Sequence, residues 1–298
     1  MSEPSERTVS WPGLFHLFVV YIVWSSTYIA IRVAVRPGGG FPPFALAASR
    51  CLLAFPILLA LGKLRGLRLR PDRRELVLLA ISGILLWTFG NALVVVAEQH
   101  VHSALAAILI ASTPIWVAVL ESLSLRRLPS ARVIIALVIG FLGTGIIGYP
   151  ALRGGVRADA IAVLVLLLAS LAWGGGSLLQ RHRPVRLDPT MSAAYQMLFG
   201  GIGSITFVIL FREPLFTSSA TGWLGFAFLL VFGSLISFTS FIRALHLLPT
   251  RIVFTYGYVN PVLATFLGWL LLGERLSVEA LLGAGLVLLG VAGSFRDT

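Results

Sequence analysis

Aromatic and small polar residues recur at helical spacing within the apolar runs of this 298-residue chain. Trp24 and Tyr28 are four residues apart, with Thr27 beside them, and Trp173 and Ser177 repeat that spacing in the second half. Residues four apart share one face of an α-helix. An aromatic ring buries the apolar part of a ligand, and an N–H or O–H group orients it. These faces indicate a site for a small amphipathic, zwitterionic solute, with a packing seam between helices as the alternative.

Other polar and aromatic side chains also lie inside apolar runs, where an unpaired polar group is costly. The further candidates for solute contact are Trp87, Asn91, Thr113, Trp116, Tyr256, Tyr258 and Asn260. A hydrogen bond between helices is an equal alternative for the Asn91 amide. Pro114 and Pro261 are predicted to interrupt their helices and to act as hinges, because proline removes a backbone hydrogen bond. Plain kinks are the alternative for both prolines.

The composition requires a lipid environment. Hydrophobic residues make up 57% and charged residues 12% of the chain, whereas a soluble domain carries about 25% charge. The net charge of +11 comes from short Lys and Arg clusters between apolar runs. No continuous basic face results, which argues against nucleic-acid binding. Cys51 is the single cysteine, and no cofactor motif or metal-ligand cluster occurs, so we expect neither a cofactor nor a metal ion.

The hydropathy pattern predicts an all-α integral membrane protein with ten transmembrane helices, since about 20 apolar residues span a bilayer. The predicted spans are 12–33, 43–62, 76–97, 104–124, 131–150, 160–180, 190–211, 222–243, 252–272 and 279–295. With the N-terminus inside, the inside stretches hold 16 Lys and Arg residues and the outside stretches hold 5. This bias predicts that both termini are cytoplasmic. The absence of an N-x-[ST] sequon is compatible with a bacterial inner membrane.

The two halves of the chain match at an offset close to 147 residues. Pro114 and Pro261 are 147 residues apart, and the stretches WSSTYIAIR from Trp24 and WGGGSLLQR from Trp173 begin 149 residues apart. Five spans per half is an odd number, so the second half must be inverted. We therefore expect two inverted five-helix repeats, residues 1–150 and 155–298. Secondary transporters use such a design for alternating access to a site near the bilayer midplane.

Charged residues inside membrane spans are candidates for a mechanism. Arg50 lies about seven residues into the second span, and Glu121 lies near the inner end of the fourth. Snorkelling or structural pairing is the alternative for both. Glu98 and His100 are expected to be solvated loop residues. Without a carboxylate deep in the membrane, the sequence favours facilitated diffusion over proton coupling.

Several stretches resemble the drug/metabolite transporter superfamily, specifically its EamA-type ten-helix members and the bacterial aromatic amino acid exporters among them. They are WSSTYIAIR from Trp24, FPPFALAASRCLLA from Phe41, the Ser/Thr-Pro helix from Ala104, and VNPVLATFLGWLLLGERLS from Val259. The resemblance implies ten spans, cytoplasmic termini and a central cavity lined mainly by helices 1, 3, 4, 6, 8 and 9. It also implies export of amino acids, with other metabolites or drugs as the alternative. The chain departs from the family in reading LRRLP after the fourth helix.

An intramembrane enzyme is the competing class. Its best nucleophile and base would be Ser177 with His182 or His246. Catalysis needs the two groups within hydrogen-bond reach, and Ser177 and His182 diverge because they are five residues apart on a helix. We therefore expect a transporter of a small molecule in contact with membrane lipid, not an enzyme. The oligomeric state is left open, and a monomer suffices for the carrier mechanism.

Overall fold

The computed structural model describes residues 9–35, 40–100, 103–153, 160–214, 219–272 and 277–295. All regular secondary structure in these ranges is helical. Nine helical spans within them are long and apolar enough to cross a membrane. The predicted ninth span is also helical, as the short segment Thr250–Val253 followed by the 17-residue segment Tyr256–Leu272. The chain is an all-α membrane protein.

The helices agree with the predicted spans to within a few residues at each end. They are α1 (Trp11–Ala34), α2 (Pro43–Leu64), α3 (Arg73–Ala97), α4 (Ser103–Ile110 and Thr113–Leu125), α5 (Ala131–Arg153), α6 (Ala160–His182), α7 (Pro189–Leu210), α8 (Ala220–Leu247), α9 (Thr250–Val253 and Tyr256–Leu272) and α10 (Val278–Phe295). The face at which α1 begins and α10 ends is called the terminal side below, and the other face is called the opposite side.

Capping side chains mark the first residues of several helices, which hydropathy alone does not define. The Ser10 hydroxyl accepts a hydrogen bond from the backbone N–H of Gly13 at 3.3 Å and caps α1. Asp72 and Glu75 form a reciprocal capping box at the start of α3, with both bonds at 2.8 Å. The Asp188 carboxylate caps α7 ahead of its first-turn proline. Each cap satisfies backbone N–H groups that have no partner within their own helix.

The middles of α3 and α8 are π-helical. The wider turns run over Ile84–Ala92 in α3 and Leu229–Phe238 in α8. Each is the third span of its half, so the same irregular backbone occurs at corresponding places in the two halves. A π-helical turn shifts the direction of the side chains that follow it, and such turns are frequent at functional sites. This feature had no counterpart in the sequence prediction.

The helix breaks in α4 and α9 differ from the predicted pair. In α4 the break lies between Ile110 and Thr113, as expected, and the Thr113 hydroxyl donates a 2.6 Å hydrogen bond to the freed Ile110 carbonyl. Pro114 then occupies the first turn of the second segment, where a missing N–H costs nothing. In α9 the predicted interruption at Pro261 is wrong, because this proline lies inside a continuous helix. The α9 break is nearer the terminal side, between Val253 and Tyr256.

The spans divide into a centre and a periphery. The most extensive packing joins α5 to α10 and α2 to α7. Glycines bring the first of these pairs together, since an ideal Cβ on Gly143 would lie 2.8 Å from the carbonyl O of Gly283. The remaining helices, α1, α3, α4, α6, α8 and α9, pack on one another. They carry all the predicted solute-contact residues.

Candidate functional site

Trp24 of α1 is the hub of a group of aromatic rings in the centre of the protein. Its ring centroid lies 5.4 Å from that of Trp173, 5.2 Å from that of Phe241 and 5.0 Å from that of Tyr256. The contacts with Trp173 and Tyr256 are edge-to-face, a preferred aromatic geometry. The two tryptophans that open the matching stretches of the sequence therefore meet directly. Trp24, Trp173, Phe241 and Tyr256 are called the aromatic cluster below.

The π-helical segments extend this cluster with two more rings. Phe238 ends the segment in α8 and lies 6.2 Å from Trp173 between ring centroids. Trp87, from the segment in α3, lies 5.0 Å from Phe238. Gly90 permits the approach of α3, because an ideal Cβ there would lie 2.9 Å from the Trp173 ring. The cluster thus connects α1, α8 and α9 with α3 and α6.

Arg50 of α2 lies beside Trp87 and is only 3% exposed. Its guanidinium carbon lies 5.4 Å from the Trp87 ring centroid. Its Nε and Nη2 atoms donate to the Ser234 hydroxyl at 3.3 and 3.2 Å. Arg50 Nη1 is shielded from solvent and has no hydrogen-bond partner among the described residues. No described carboxylate forms an ion pair with Arg50, and a buried cation without such a partner is unusual inside a membrane protein.

Other predicted contact residues also present shielded polar atoms. The Nε1 atoms of Trp87 and Trp116 and the Oδ1 atom of Asn91 are buried and lack hydrogen-bond partners in the described ranges. Thr27 and Tyr28 are half-buried, as are Asn91 and Trp116. Unmade hydrogen bonds are costly in an apolar interior. Groups of this kind are therefore available to a polar ligand that enters between the helices.

Glu98 is not the solvated loop residue that the sequence suggested. Both of its carboxylate oxygens are shielded from solvent, and Tyr28 of α1 lies within electrostatic range of them. Only His100, beyond the end of α3, is exposed as expected. The sequence could have indicated this position. Glu98 follows Asn91 by seven residues, so it leaves the C-terminal end of α3 on the same side as Asn91. This shielded carboxylate belongs to the C-cap residue of α3, one residue beyond the span Arg73–Ala97.

The hydroxyls of Thr27 and Thr113 donate to the carbonyls of Trp24 and Ile110 in their own helices. Three further predicted contact residues also use their polar groups within the protein. The Ser177 hydroxyl donates to the Trp173 carbonyl of its own helix at 2.8 Å. The Tyr258 hydroxyl donates to the Leu137 carbonyl of α5 at 3.1 Å. The Asn260 Oδ1 atom accepts from Ser25 of α1 at 3.3 Å.

Tyr258 is the clearest of these departures from the sequence prediction. The residue is two positions from Tyr256, so its side chain leaves a different face of α9. Tyr258 packs on Gly140 of α5 and is 2% exposed. It therefore joins α9 to the peripheral helix pair and does not face the aromatic cluster.

The enzyme alternative lacks its geometry. The Ser177 hydroxyl is engaged with its own helix, whereas His182 lies 3.4 Å from the Ser124 hydroxyl and His246 lies 3.4 Å from the Gln180 side chain. The nucleophile and either base are thus held by different partners. Glu121 lies half-buried about five residues beyond Trp116, toward the terminal side of α4.

The terminal side of the centre is closed by contacts between helices of both halves. The Tyr21 and Thr255 hydroxyls are 2.5 Å apart. Arg181 of α6 donates to the Leu245 carbonyl of α8 at 2.7 Å. The Glu75 carboxylate accepts from the backbone N–H of Arg186 at 2.8 Å. One continuous group of buried apolar side chains from α1, α2, α3, α4, α6, α7, α8 and α9 fills this side and reaches the rings of Trp87, Phe238, Phe241 and Tyr256.

On the opposite side, the buried apolar side chains form separate groups. One group joins α3, α4 and α6 around Ala106 and Leu166. Another joins α1, α2 and α8 around Phe41 and Phe226, with Val95 of α3. Trp24 and Tyr28 of α1 are half-buried. The buried apolar packing is thus continuous on the terminal side and divided into separate groups on the opposite side.

A groove of about 570 Å³ lies elsewhere, between α4 and α5 on the terminal side. Apolar side chains line it, and Arg126 and Arg127 stand at its rim. Because Leu123 and Leu128 there are exposed to the surroundings, the groove faces lipid and not the centre of the helices. It carries none of the predicted contact residues.

Sequence reasoning missed Phe238, Phe241 and Ser234, which complete the centre. The predicted offset of 147 residues between the two halves could have indicated two of them. Trp87 and Asn91, shifted by 147 residues, fall on Ser234 and Phe238. Phenylalanine and serine are so common in membrane helices that only this correspondence could have selected them.

Comparison with known proteins identifies the family. Residues 11–149 and 160–296 match the EamA-like transporter family. The chain is 32% identical over 281 residues to the uncharacterized inner membrane transporter YedA of Escherichia coli (strain K12), covering 92% of this chain and 88% of that protein. It is 28% identical over 301 residues to the S-adenosylmethionine/S-adenosylhomocysteine transporter of Chlamydia trachomatis serovar L2, with 93% and 87% coverage.

A crystal structure 21% identical in sequence has the same fold, with a TM-score of 0.77 over 94% of this chain and 95% of that chain. Family and relatives are transporters and not enzymes, which agrees with the separation of Ser177 from both histidines. The sequence resemblance to EamA-type proteins is confirmed. The chain belongs to the EamA-like transporter family and is a multi-pass inner membrane transporter of a small molecule.

Proposed function

We propose that this transporter exports amino acids, including aromatic and neutral ones, by alternating access to the aromatic cluster. The observation that carries the proposal is the direct contact of Trp24 with Trp173 at 5.4 Å. Stacked and edge-to-face rings accept an apolar side chain, and the shielded polar atoms of Asn91 and Trp116 are available to a charged or polar backbone group. A zwitterionic solute with an apolar side chain satisfies both kinds of surface.

The two halves, residues 1–150 and 155–298, act as inverted repeats in this mechanism, and both termini lie in the cytoplasm. The tight packing on the terminal side then corresponds to a state closed toward the cytoplasm. Opening that side breaks the contacts of Tyr21 with Thr255 and of Arg181 with Leu245. The break in α4 beside Pro114 is a hinge for this movement, and Pro261 contributes a kink. A monomer contains the complete pathway.

The direct test is counterflow into proteoliposomes that hold purified protein and a preloaded pool of amino acids. Labelled amino acids are offered one at a time, with and without a pH gradient. Trp24→Ala removes the hub ring, and Trp24→Phe retains an aromatic ring. Trp11→Ala is the matched control, because the Trp11 side chain is 85% exposed at the start of the same helix. S-adenosylmethionine belongs in the panel, because the chlamydial relative is named as its transporter.

Saturable accumulation of aromatic amino acids by the wild type and the Trp11→Ala variant is expected, with at least a tenfold loss in Trp24→Ala. Trp24→Phe is expected to retain part of the activity. Accumulation that is independent of the pH gradient identifies a facilitated carrier. Accumulation that depends on the gradient makes the Glu98 carboxylate the candidate proton carrier. Failure of every amino acid to accumulate contradicts the substrate proposal. Accumulation of S-adenosylmethionine alone replaces it with a different solute.

The orientation can be tested with single cysteines. Cys51 is the only cysteine in the chain and is fully buried, so Cys51→Ala provides a simple background. A cysteine at Lys63, in an exposed position of the terminal side, is expected to react with a membrane-impermeant maleimide only in inside-out vesicles. Reaction in intact spheroplasts contradicts cytoplasmic termini. A cysteine at Arg212, on the opposite side, provides the reverse control.

A further inference from the structure

Two buried hydrogen-bond donors lie side by side without partners. Arg50 and Trp87 are 3% and 2% exposed, and the guanidinium stands over the indole at 5.4 Å from the ring centroid. Arg50 Nη1 and Trp87 Nε1 are both shielded, and neither has a hydrogen bond in the described part of the chain. Among the described residues, the guanidinium donates side-chain hydrogen bonds to the Ser234 hydroxyl alone. The pair therefore presents donors and positive charge with no acceptor.

A purely structural arginine would have a different environment. A structural ion pair needs a carboxylate, and the ion pair found within the described residues is the one between Arg68 and Glu75, on the terminal side. A snorkelling arginine extends its head group to the membrane surface, whereas the Arg50 head group is buried between α2, α3 and α8. Arginine stays charged at neutral pH and forms a fork that matches a carboxylate. The charge of Arg50 and its unpartnered Nη1 donors fit an anion at this place.

We propose that Arg50 and Trp87 bind the carboxylate of the transported solute, so that the site selects organic anions and zwitterions over amides and amines. This inference rests on the proposed function for the identity of the solute, but it concerns the charge that the site requires. Arg50 supplies the charge and the donors on Nη1, and Trp87 supplies a further N–H. Ser234 positions the guanidinium from the other side.

The geometry connects this anion site to the aromatic cluster. Gly233 of α8 lies between them: an ideal Cβ on it would be 3.4 Å from both Arg50 Nη2 and the methyl group of Thr27. Thr27 is one helical turn from Trp24 on α1. The missing side chain at Gly233 leaves the guanidinium next to the cluster-facing surface of α1. A carboxylate at Arg50 therefore leaves the apolar end of the same small solute beside Trp24 and Trp173.

The test uses pairs of compounds that differ in the carboxylate alone. The pairs are phenylalanine with phenylalaninamide, and 3-phenylpropionate with 3-phenylpropionamide. Binding is measured as ligand-dependent thermal stabilisation of purified protein, and transport as competition in the counterflow assay. The variants are Arg50→Gln, Arg50→Lys and Trp87→Phe, with Arg65→Gln as the control at an exposed arginine of the terminal side. The acid-to-amide affinity ratio is the readout, because it does not depend on how much protein is folded.

The wild type and Arg65→Gln are expected to bind each acid at least tenfold more tightly than its amide. Arg50→Gln is expected to reduce that ratio to near one, Arg50→Lys to keep part of it, and Trp87→Phe to lower it several-fold. An unchanged ratio in Arg50→Gln overturns the inference. Equal losses for acid and amide, which leave the ratio unchanged, assign Arg50 a structural role and also overturn it.

The two proposals fail in different ways. If amino acids accumulate but the acid-to-amide affinity ratio is the same in Arg50→Gln as in the wild type, the anion site is wrong and the transport proposal stands. If amino acids do not accumulate but 3-phenylpropionate stabilises the wild type and not Arg50→Gln, the anion site stands and the substrate proposal is wrong. If neither acid stabilises the wild type, the carboxylate site is overturned as well.

Discussion

The seam between α5 and α10 permits a prediction whose size follows from the backbone geometry. An alanine Cβ at Gly143 would lie 2.7 Å from the backbone N of Val287 and 2.8 Å from the carbonyl O of Gly283. Non-bonded heavy atoms in good contact are about 3.5–4.0 Å apart. Both neighbours are backbone atoms, which cannot rotate away, so α10 must move outward by about 1 Å. Overpacking of this kind costs about 1–3 kcal/mol.

Gly145 is the matched control on the same helix. An ideal Cβ at Gly145 meets nothing within 4 Å. Alanine is favoured over glycine inside a helix by about 1 kcal/mol, and this gain is common to both substitutions. The difference between Gly143→Ala and Gly145→Ala therefore reports the steric cost alone. We expect Gly143→Ala to be less stable than Gly145→Ala by about 1–3 kcal/mol, or about 5- to 150-fold in the unfolding equilibrium.

The assay is reversible unfolding of the purified protein in mixed micelles as the mole fraction of dodecyl sulfate rises, followed by circular dichroism. A second pair repeats the comparison on α10. An ideal Cβ at Gly283 would lie 2.6 Å from the Gly143 carbonyl O, whereas one at Gly285 meets nothing within 4 Å. Equal stabilities within both pairs would refute the conclusion that these two helices pack through their backbones.

Three further outcomes follow from single contacts. Tyr258→Phe removes the bond to the Leu137 carbonyl and should lower the free energy of unfolding by about 0.5–1.5 kcal/mol. Counterflow per folded molecule of this variant should be unchanged. A raised KM for transport would instead show that Tyr258 contacts the solute. Glu213→Gln weakens the carboxylate cap on the first turn of α2 and should cost about 1–2 kcal/mol in the same unfolding assay, with no loss contradicting that cap. The double variant His182→Ala, His246→Ala should retain transport in proteoliposomes, since neither ring faces Ser177, and abolished transport would revive a role for these histidines.

Much of the helix architecture could be predicted because its causes are local. Apolar run length determines where a span can cross the bilayer, and cap residues such as Ser10 and Asp72 mark where helices begin. The family stretches around Trp24 and Val259 were also recognisable without a structure. The spacing in the Trp24 and Trp173 stretches predicted that both faces belong to one solute site, and the structure brings the two tryptophan rings into contact.

The π-helical turns and the direction of each polar side chain were beyond this reasoning. A wider turn has no strong residue signature, and it changes which residues share a face in α3 and α8. The α9 prediction failed for a related reason, since Pro261 can stay inside a helix when its neighbours accommodate it. Tyr256 and Tyr258 looked equivalent as residue types, but they are two positions apart on α9 and therefore contact different neighbours.

The sequence by itself determined that the protein lies in lipid, the number and order of its spans, and which residues are too polar to face lipid. These properties depend on composition and spacing along the chain. Only the tertiary structure decided which of those polar groups keep a partner. Tyr258 and Asn260 have partners on neighbouring helices, whereas Arg50 Nη1 and Trp87 Nε1 have no hydrogen-bond partner within the described ranges. Partnering depends on contacts between residues more than 100 positions apart, and those distances are set by helix packing.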